Sequence, residues 1–380
     1  MRILREISTE LHNAVAAQGF PCDNFIFRAS RGWKLNESTT SDDKGEVCIA
    51  SSRHGLWKCL NDAVGSGVVQ YKKVIRVLGR DDTSGPKVVF DDDTEEAADL
   101  IVGADGVKST VKNAIFGPEE YKPIYDKLIG VGGFLPIPCS KESLDRRAMV
   151  FTFGPNGFFG YSPIAQRESM WWSTIHADDL PSQSRIALSD LRKQLQDHHG
   201  NWKDPFIQNI IQKADVSHVY PTWTTPRLPY WSKNGLILVG DAAHAMNPTS
   251  GQGSSQALED VKTLSICLSH YLSQTSQNLP LGDAIDRAGE LYYRVRSPRV
   301  HAIVARTNKI ANAKRELSFV EEMMTYAFIW LLGRFPSLGK LLMGDVNKEL
   351  YGWDVYAEIR KALKVKGEGD QITGPDAPLS

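Results

Sequence analysis

The sequence predicts an α/β fold that carries an α+β insert. Three observations predict it. Residues 235–268 run from a short apolar stretch through Asp241 into a small-residue loop, then into an apolar pattern at helical spacing. Residues 100–116 repeat that order on a smaller scale, with Asp105-Gly106 at the turn. Between the two, residues 127–177 are aromatic and strand-like, bounded by Gly and Pro. A strand that ends on Asp241 and restarts as a helix after Pro248, Gly251 and Gly253 sets backbone N–H groups and a positive helix end beside one carboxylate. The N–H groups suit an anionic or electron-rich ligand and the carboxylate suits hydroxyls. A nucleotide cofactor offers both.

The elements follow in order. Residues 1–19 read as a helix with Ile3, Leu4, Ile7, Leu11, Val15 and Ala16 on one face. Residues 25–28 are a short strand, and the polar residues 36–46 are loop. Ser51 or Ser52 caps a helix carrying Leu56, Leu60 and Val64, with Arg53 at its start. Taken alone, Arg53 is a solvated charge. Residues 68–78 and 87–90 form an antiparallel pair, and Asp91-Asp92-Asp93 is a solvated turn without the spaced ligands of a calcium loop. Residues 100–103 are a buried strand, and Ser109 opens a short helix.

Within residues 127–177, Phe151, Phe153, Phe158, Phe159, Tyr161, Trp171 and Trp172 crowd one sheet. They serve a sheet core or wall a pocket for a flat apolar substrate, and a sheet with two faces leaves both readings open. Residues 184–214 are helical with interruptions, and 218–231 are extended and proline-fixed. Residues 282–313 make one or two helices, broken near Ser297-Pro298, with Arg294, Arg296 and Arg299 solvated or structural. Residues 316–363 add C-terminal helices. Residues 323–332 are too short to span a bilayer, which needs about 20 apolar residues. A buried core helix is the expectation there, and a membrane-surface or partner-docking helix is the alternative.

Net charge is −1 over 380 residues, which removes the basic excess a nucleic-acid partner requires. The five cysteines are odd in number, scattered and without CxxC spacing, so reduced thiols in a cytoplasmic protein are expected and a metal site is not. The charged, amphipathic first twenty residues lack the apolar core of a signal peptide.

Three motifs, in order, resemble those of the FAD-dependent aromatic hydroxylases. These are the p-hydroxybenzoate and salicylate hydroxylase type of single-component flavoprotein monooxygenase, and the likeness extends to their fungal secondary-metabolism members. Arg53-His54-Gly55-Leu56 is similar to the family's R-x-x-L helix start. Gly103-Ala104-Asp105-Gly106, with Ser109, is similar to GADGxxS. Gly240-Asp241-Ala242-Ala243-His244, Pro248, Gly251-Gln252-Gly253 and Glu259-Asp260 match the third motif, and residues 291–300 resemble a C-terminal helix of the family. The resemblance covers residues 1–363. It implies that Arg53 contacts FAD and that Asp241 accepts from the ribityl chain. It implies that residues 248–253 lie along the flavin ring, with the helix from Gln252 aimed at its N1–C2 edge. Asp105 and Gly106 would lie near the pyrophosphate and serve NAD(P)H. The implied reaction uses NAD(P)H and O2 to hydroxylate or epoxidise a small apolar aromatic, polyketide or indole-type molecule. It needs no side-chain nucleophile. His244 is the one candidate base, against a packing role within the motif.

The chain departs from the family in three places. No GxGxxG turn is found, so the Rossmann-like FAD-binding domain is expected to be incomplete, short of a first βαβ portion of roughly 40–50 residues. Lys112 stands where Arg is common, which removes a bidentate fork, and Ser255 stands where Asn is common. Three readings stay open: a shortened monooxygenase, a flavin-free derivative acting as a redox-independent cyclase or isomerase, or an inactive truncated homologue. The expected division is 1–120 and 226–320 for FAD, 121–225 for a substrate-binding sheet, 321–365 for C-terminal helices and 366–380 for a flexible tail.

Overall fold

The structure is a computed structural model, and it describes residues 1–41, 45–82, 84–155, 157–180, 187–215, 219–248, 251–312, 318–343, 349–350 and 352–366. The tail expected after residue 366 lies outside the described residues. The chain packs as two units of interleaved segments. The first is Met1–Ser66, Lys127–Thr222 and Ala311–Trp353; the second is Gly67–Asp126, Trp223–Ile310 and Asp354–Ser380.

The first unit is organised by a seven-stranded sheet. Its strands are β2 (Asn24–Ala29), β3 (Lys34–Thr39), β9 (Ile124–Leu135), β10 (Ala148–Gly154), β11 (Gly157–Ala165), β12 (Glu168–His176) and β13 (Tyr220–Thr224). They lie in the order β13-β9-β12-β11-β10-β2-β3. β10 runs parallel to β2, whereas β10–β11, β11–β12, β12–β9 and β2–β3 are antiparallel. β10 and β12 alternate buried and half-buried residues, so the two faces do different work. One face carries Val150, Phe159, Tyr161, Trp171 and Ile175. It packs with Leu191 and Leu195 of α6 (Leu188–His199) and with Ile207, Ile210 and Ile211 of α7 (Pro205–Lys213). Asp204 caps α7 by accepting from Phe206 N. A loop was expected over residues 36–46. Residues 36–39 instead complete β3, because an edge strand tolerates polar side chains on its open side.

The remaining elements of this unit are α1 (Arg2–Ile7), α2 (Thr9–Gln18), the pair β1 (Phe20–Cys22) with β4 (Cys48–Ala50), α3 (Arg53–Val64), α5 (Lys141–Asp145), α11 (Phe319–Arg334) and α12 (Pro336–Met343). Ser8 breaks the first helix and caps the second. Ser52, not Ser51, caps α3. The buried-core reading of residues 323–332 is corrected. On α11 only Glu322 and Tyr326 are buried, while Met324, Phe328 and Trp330 are exposed.

Burial and the neighbouring His198 push the His199 imidazole down to about 3 from its ordinary 6.5, while Ser173 Oγ lies 2.8 Å from Nε2. The folded state therefore holds His199 neutral across the window in which the unfolded chain protonates it. Stability present above pH 6.5 is lost as pH falls towards 3, by on the order of 1 kcal/mol per unit. Urea titrations at stepped pH should show this slope in the wild type and lose most of it in His199→Gln. An unchanged slope in the variant would refute the assignment.

The second unit holds the sheet β14 (Ser232–Lys233), β15 (Leu236–Leu238) and β8 (Ile101–Gly103), in that order, and the meander β5 (Val74–Leu78), β6 (Lys87–Phe90) and β7 (Glu95–Ala97). The strand expected from residue 68 begins at Val74. Its helices are α4 (Thr110–Phe116), α8 (Asp241–His244), α9 (Gly253–Leu272), α10 (Leu281–Asn312) and α13 (Val355–Lys366). No break occurs at Pro298, which lies inside a continuous α10. Buried Leu291, Tyr292, Arg296 and Val300 on both sides of it hold the helix through the missing N–H. Among the described residues no helix is long and apolar enough to cross a membrane, and no cluster of His, Cys, Asp or Glu could hold a metal ion.

Candidate functional site

The two acidic turns meet in the second unit. β15 and β8 are parallel neighbours, with Leu236 beside Ile101 and Leu238 beside Gly103. Asp241 and Asp105 therefore leave the carboxyl ends of adjacent strands, where open α/β sheets bind ligands. Gly103 is explained by packing, since a Cβ there would meet Val111 Cβ at 2.6 Å.

The two carboxylates are used differently. Asp105 Oδ2 accepts from Thr110 N at 2.7 Å and Val111 N at 3.2 Å, which adds to the Ser109 cap of α4. The exposed Asp241 carboxylate accepts no hydrogen bond from any described residue; its backbone carbonyl is engaged by Thr225 Oγ1 at 3.1 Å and Ala245 N at 3.2 Å. Asp241 is thus the carboxylate open to a ligand. Gly240 turns the chain into it with φ 57°. Ala242 is fully buried, which limits it to a backbone contribution.

Gln252 stands at the N-cap of the 20-residue α9 and is itself buried. Pro248 carries the acceptor of the Gly251 N–H, at 3.0 Å. A Cβ built on Gly253 would meet no atom within 4 Å. Its backbone is helical and none of the described residues crowds it. Gly106 and Gly251 have the same open space, although their φ values of 78° and 62° already favour glycine.

A buried ion network fixes this turn from behind. Arg296, wholly buried, donates from Nε to Asp260 Oδ1 at 2.8 Å, bonds to Glu259, and reaches Gln256 Oε1 at 2.7 Å. Arg299 forks onto Glu259 at 2.7 and 2.8 Å. Asp260 Oδ2 accepts the Gly240 N–H at 2.9 Å and lies 2.6 Å from His244 Nε2. Burial alone would raise the Asp260 carboxyl, but His244 and Arg296 outweigh it and hold it below the ordinary range. The ionised Asp260 thus places the shared proton on His244 Nε2. His244 is 6% exposed and tied to Asp260, which builds it into the brace of the turn. Arg296 was legible only as solvated or structural, and burial settles it as structural.

Asp126 escaped the sequence reading, because a lone acid at a strand start has no motif around it. Its carboxylate accepts from Thr224 Oγ1 at 3.0 Å and from Asn247 Nδ2 at 3.3 Å, while burial raises its pKa. Thr225 adds hydrogen bonds with Asp241 and Ala245. Together they hold both ends of the segment from Asp241 to Asn247. Lys112 is buried and donates from Nζ to Val107 O at 3.1 Å; burial lowers its amine against the pull of Asp105.

Arg53 lies in the first unit, exposed at the start of α3, and forms no ion pair with a described residue. The substrate residues divide by face. Phe159, Tyr161 and Trp171 are at most 2% exposed and sit in the helix-packed core, which corrects their expected place in a pocket wall. Strand alternation, which sequence alone could not phase, is the reason. Phe151 points to the opposite face. There it meets Phe25 (5.2 Å between centroids), Phe27 (5.6 Å), Phe158 (5.9 Å) and Trp172 (5.9 Å). The Trp172 ring lies flat over Gly160, where a Cβ would come within 2.3 Å of it.

Comparison with known proteins agrees with this geometry. Residues 11–307 match the FAD binding domain family, and the chain belongs to that family. It is similar to the aurachin C monooxygenase/isomerase of Stigmatella aurantiaca (30% identity, 67% of this chain, 65% of that protein). It is also similar to the chloroplastic zeaxanthin epoxidase of Solanum lycopersicum (26% identity, 78% and 44%). The chain thus spans just under two thirds of the first relative's length and less than half of the second's. The crystal structure of Klebsiella pneumoniae HpxO, complexed with FAD and uric acid, shares the fold, with TM-score 0.76 at 18% identity over 92% of this chain and 87% of that one.

Proposed function

We propose that the protein is a FAD-dependent monooxygenase that uses NAD(P)H and O2 to hydroxylate or epoxidise an apolar aromatic, polyketide or indole-type small molecule in secondary metabolism, acting in the cytoplasm. The observation that carries this reading is the open turn of the second unit. It combines an Asp241 carboxylate that accepts no hydrogen bond from the described residues with a Gly253 helix start that none of them crowds, braced by Asp260 and Arg296. When bound, FAD would carry electrons from NAD(P)H and activate O2, the source of the oxygen atom transferred. Asp241 would accept from the ribityl hydroxyls, the N-terminus of α9 would face the electron-rich edge of the ring, and Asp105 and Gly106 would complete the seat within the second unit. Asp126 and Thr225 position the segment that carries Asp241. The face formed by Phe25, Phe27, Phe151, Phe158 and Trp172 would wall the substrate and keep water away from it. The names of the two relatives, a monooxygenase/isomerase and an epoxidase, support the reaction class.

Product formed under 18O2 with FAD and NAD(P)H should gain one labelled oxygen atom. Conversion that proceeds without flavin, reductant and oxygen would replace this reading by a redox-independent isomerase or cyclase. Gly253→Ala gives a second check. Its methyl group enters open space on a helix, so stability is unchanged or raised by about 0.5–1 kcal/mol. FAD affinity measured by flavin fluorescence should nevertheless fall about tenfold, since the flat ring is pushed off the helix. Undiminished affinity would remove the ring from this loop.

A further inference from the structure

One row of register partners crosses the aromatic face of the seven-stranded sheet from Gly132 on β9 to Trp172 on β12, Gly160 on β11, Phe151 on β10 and Phe27 on β2. Partners directly opposite one another on neighbouring strands carry their side chains on the same face. Trp172 therefore has a glycine on each side. Neither Gly132 nor Gly160 has a positive φ, so what each supplies is space. A Cβ built on Gly160 would come within 2.3, 2.4 and 2.7 Å of the indole atoms Cε2, Cζ2 and Nε1. Such even distances to three ring atoms mean that the indole lies along the sheet and does not stand on it. A Cβ on Gly132 would meet Trp172 Cβ at 3.2 Å and Trp171 O at 2.6 Å, which closes the other side.

The phenylalanines of the row take the other orientation. Phe151 crosses the indole plane at 71°. Phe27 and Phe158 stack on Phe151 at 19° and 29°, and Phe153 stacks on Phe27 at 21°. Phe27 and Phe153 also pack against the cluster of Ala29, Leu35 and Tyr326 that seats α11, which holds the stack upright. The outcome is a corner, with an indole floor and a phenylalanine wall. Trp172 and Phe151 both stay half-buried in the folded chain, so each keeps surface to offer. Aromatic rings pair by offset stacking or edge to face. A planar fused-ring molecule does both here, its face on the indole and its edge on Phe151. A puckered saturated ring of the same skeleton has no flat face for the floor and no aromatic edge for the wall.

We propose that Trp172, laid flat by Gly160, is the specificity-determining residue of the substrate face, and that it selects planar fused-ring molecules over puckered or open-chain apolar ones. This rests on reading that face as the substrate wall. It does not depend on flavin binding, and its test uses none.

Calorimetric titration of the full chain should compare 2-naphthol with decahydro-2-naphthol, the same carbon skeleton saturated. The wild type should bind 2-naphthol about tenfold more tightly, the scale of one well-placed aromatic contact beyond the area it buries. Trp172→Leu should remove this preference by weakening 2-naphthol alone, and Trp172→Phe, which keeps a ring, should retain part of it. Gly160→Ala should also remove it although the indole is still present, because the added methyl displaces the ring. The two Trp172 variants carry the test if Gly160→Ala does not fold. Equal affinity of the wild type for the two probes would overturn the proposal and leave the wall standing, as would an unchanged preference in Trp172→Leu. Binding of neither probe would remove the wall, and the proposal with it. A protein that shows the preference but takes up no flavin would keep this inference and lose the monooxygenase reading.

Discussion

Arg296→Met is expected to lower folding stability by about 3–5 kcal/mol, the range for removing one partner of a buried ion pair. Arg296 and Asp260 are both wholly buried, and Glu259 is 6% exposed. Without the guanidinium, Asp260 loses its cationic neighbour on the Oδ1 side and keeps His244 and the Gly240 N–H on Oδ2. Glu259 keeps its fork from Arg299. Arg299→Met should cost less, about 1–3 kcal/mol, because Glu259 keeps its bond to Arg296. Urea denaturation with an unchanged m value reads both effects. A loss under about 1 kcal/mol for Arg296→Met would mean that the network does not brace the turn. The double variant Arg296→Met/Asp260→Leu should recover part of the loss, since a paired removal leaves no stranded charge.

Asp241→Ala is expected to weaken FAD binding roughly 10- to 100-fold, the equivalent of one charge-assisted hydrogen bond. Folding should be untouched, because the carboxylate makes no hydrogen bond within the described residues and is exposed. This pairing of lost affinity with unchanged melting temperature separates a ligand contact from a structural residue. Asp105 provides the contrast. Its Oδ2 caps α4, so Asp105→Ala should cost about 1 kcal/mol of stability as well as any affinity. Fluorescence titration of the two variants beside wild type makes the comparison. Equal FAD affinity for Asp241→Ala and wild type would take the ribityl role from Asp241.

The sequence showed the second unit well, because its signals are local. The strand–Asp–loop–helix order at Asp241 and the Ser109 and Ser52 caps depend on neighbours within a few residues, and each appears in the structure. Three features depended on distant partners and were not legible. The phase of the aromatic sheet is set by α6 and α7, from residues after the strands, so Phe159, Tyr161 and Trp171 could not be told from Phe151 and Trp172 by alternation. Pro298 marked a break that tertiary packing of Tyr292, Arg296 and Val300 overrides. Asp126 acquires its role only when Thr224 and Asn247, about one hundred residues later, fold back onto it. The outer face of α11 reversed expectation for the opposite reason. An apolar run was read as core, and the fold uses one side of it only.

The central claim is that this chain seats FAD at the turn carrying Asp241 and Gly253. Titrating the purified chain with FAD and recording the visible spectrum after removal of free flavin tests it most directly. The account predicts one flavin per chain, with a band near about 450 nm resolved by the protein environment. A folded protein that stays colourless at saturating FAD would contradict it.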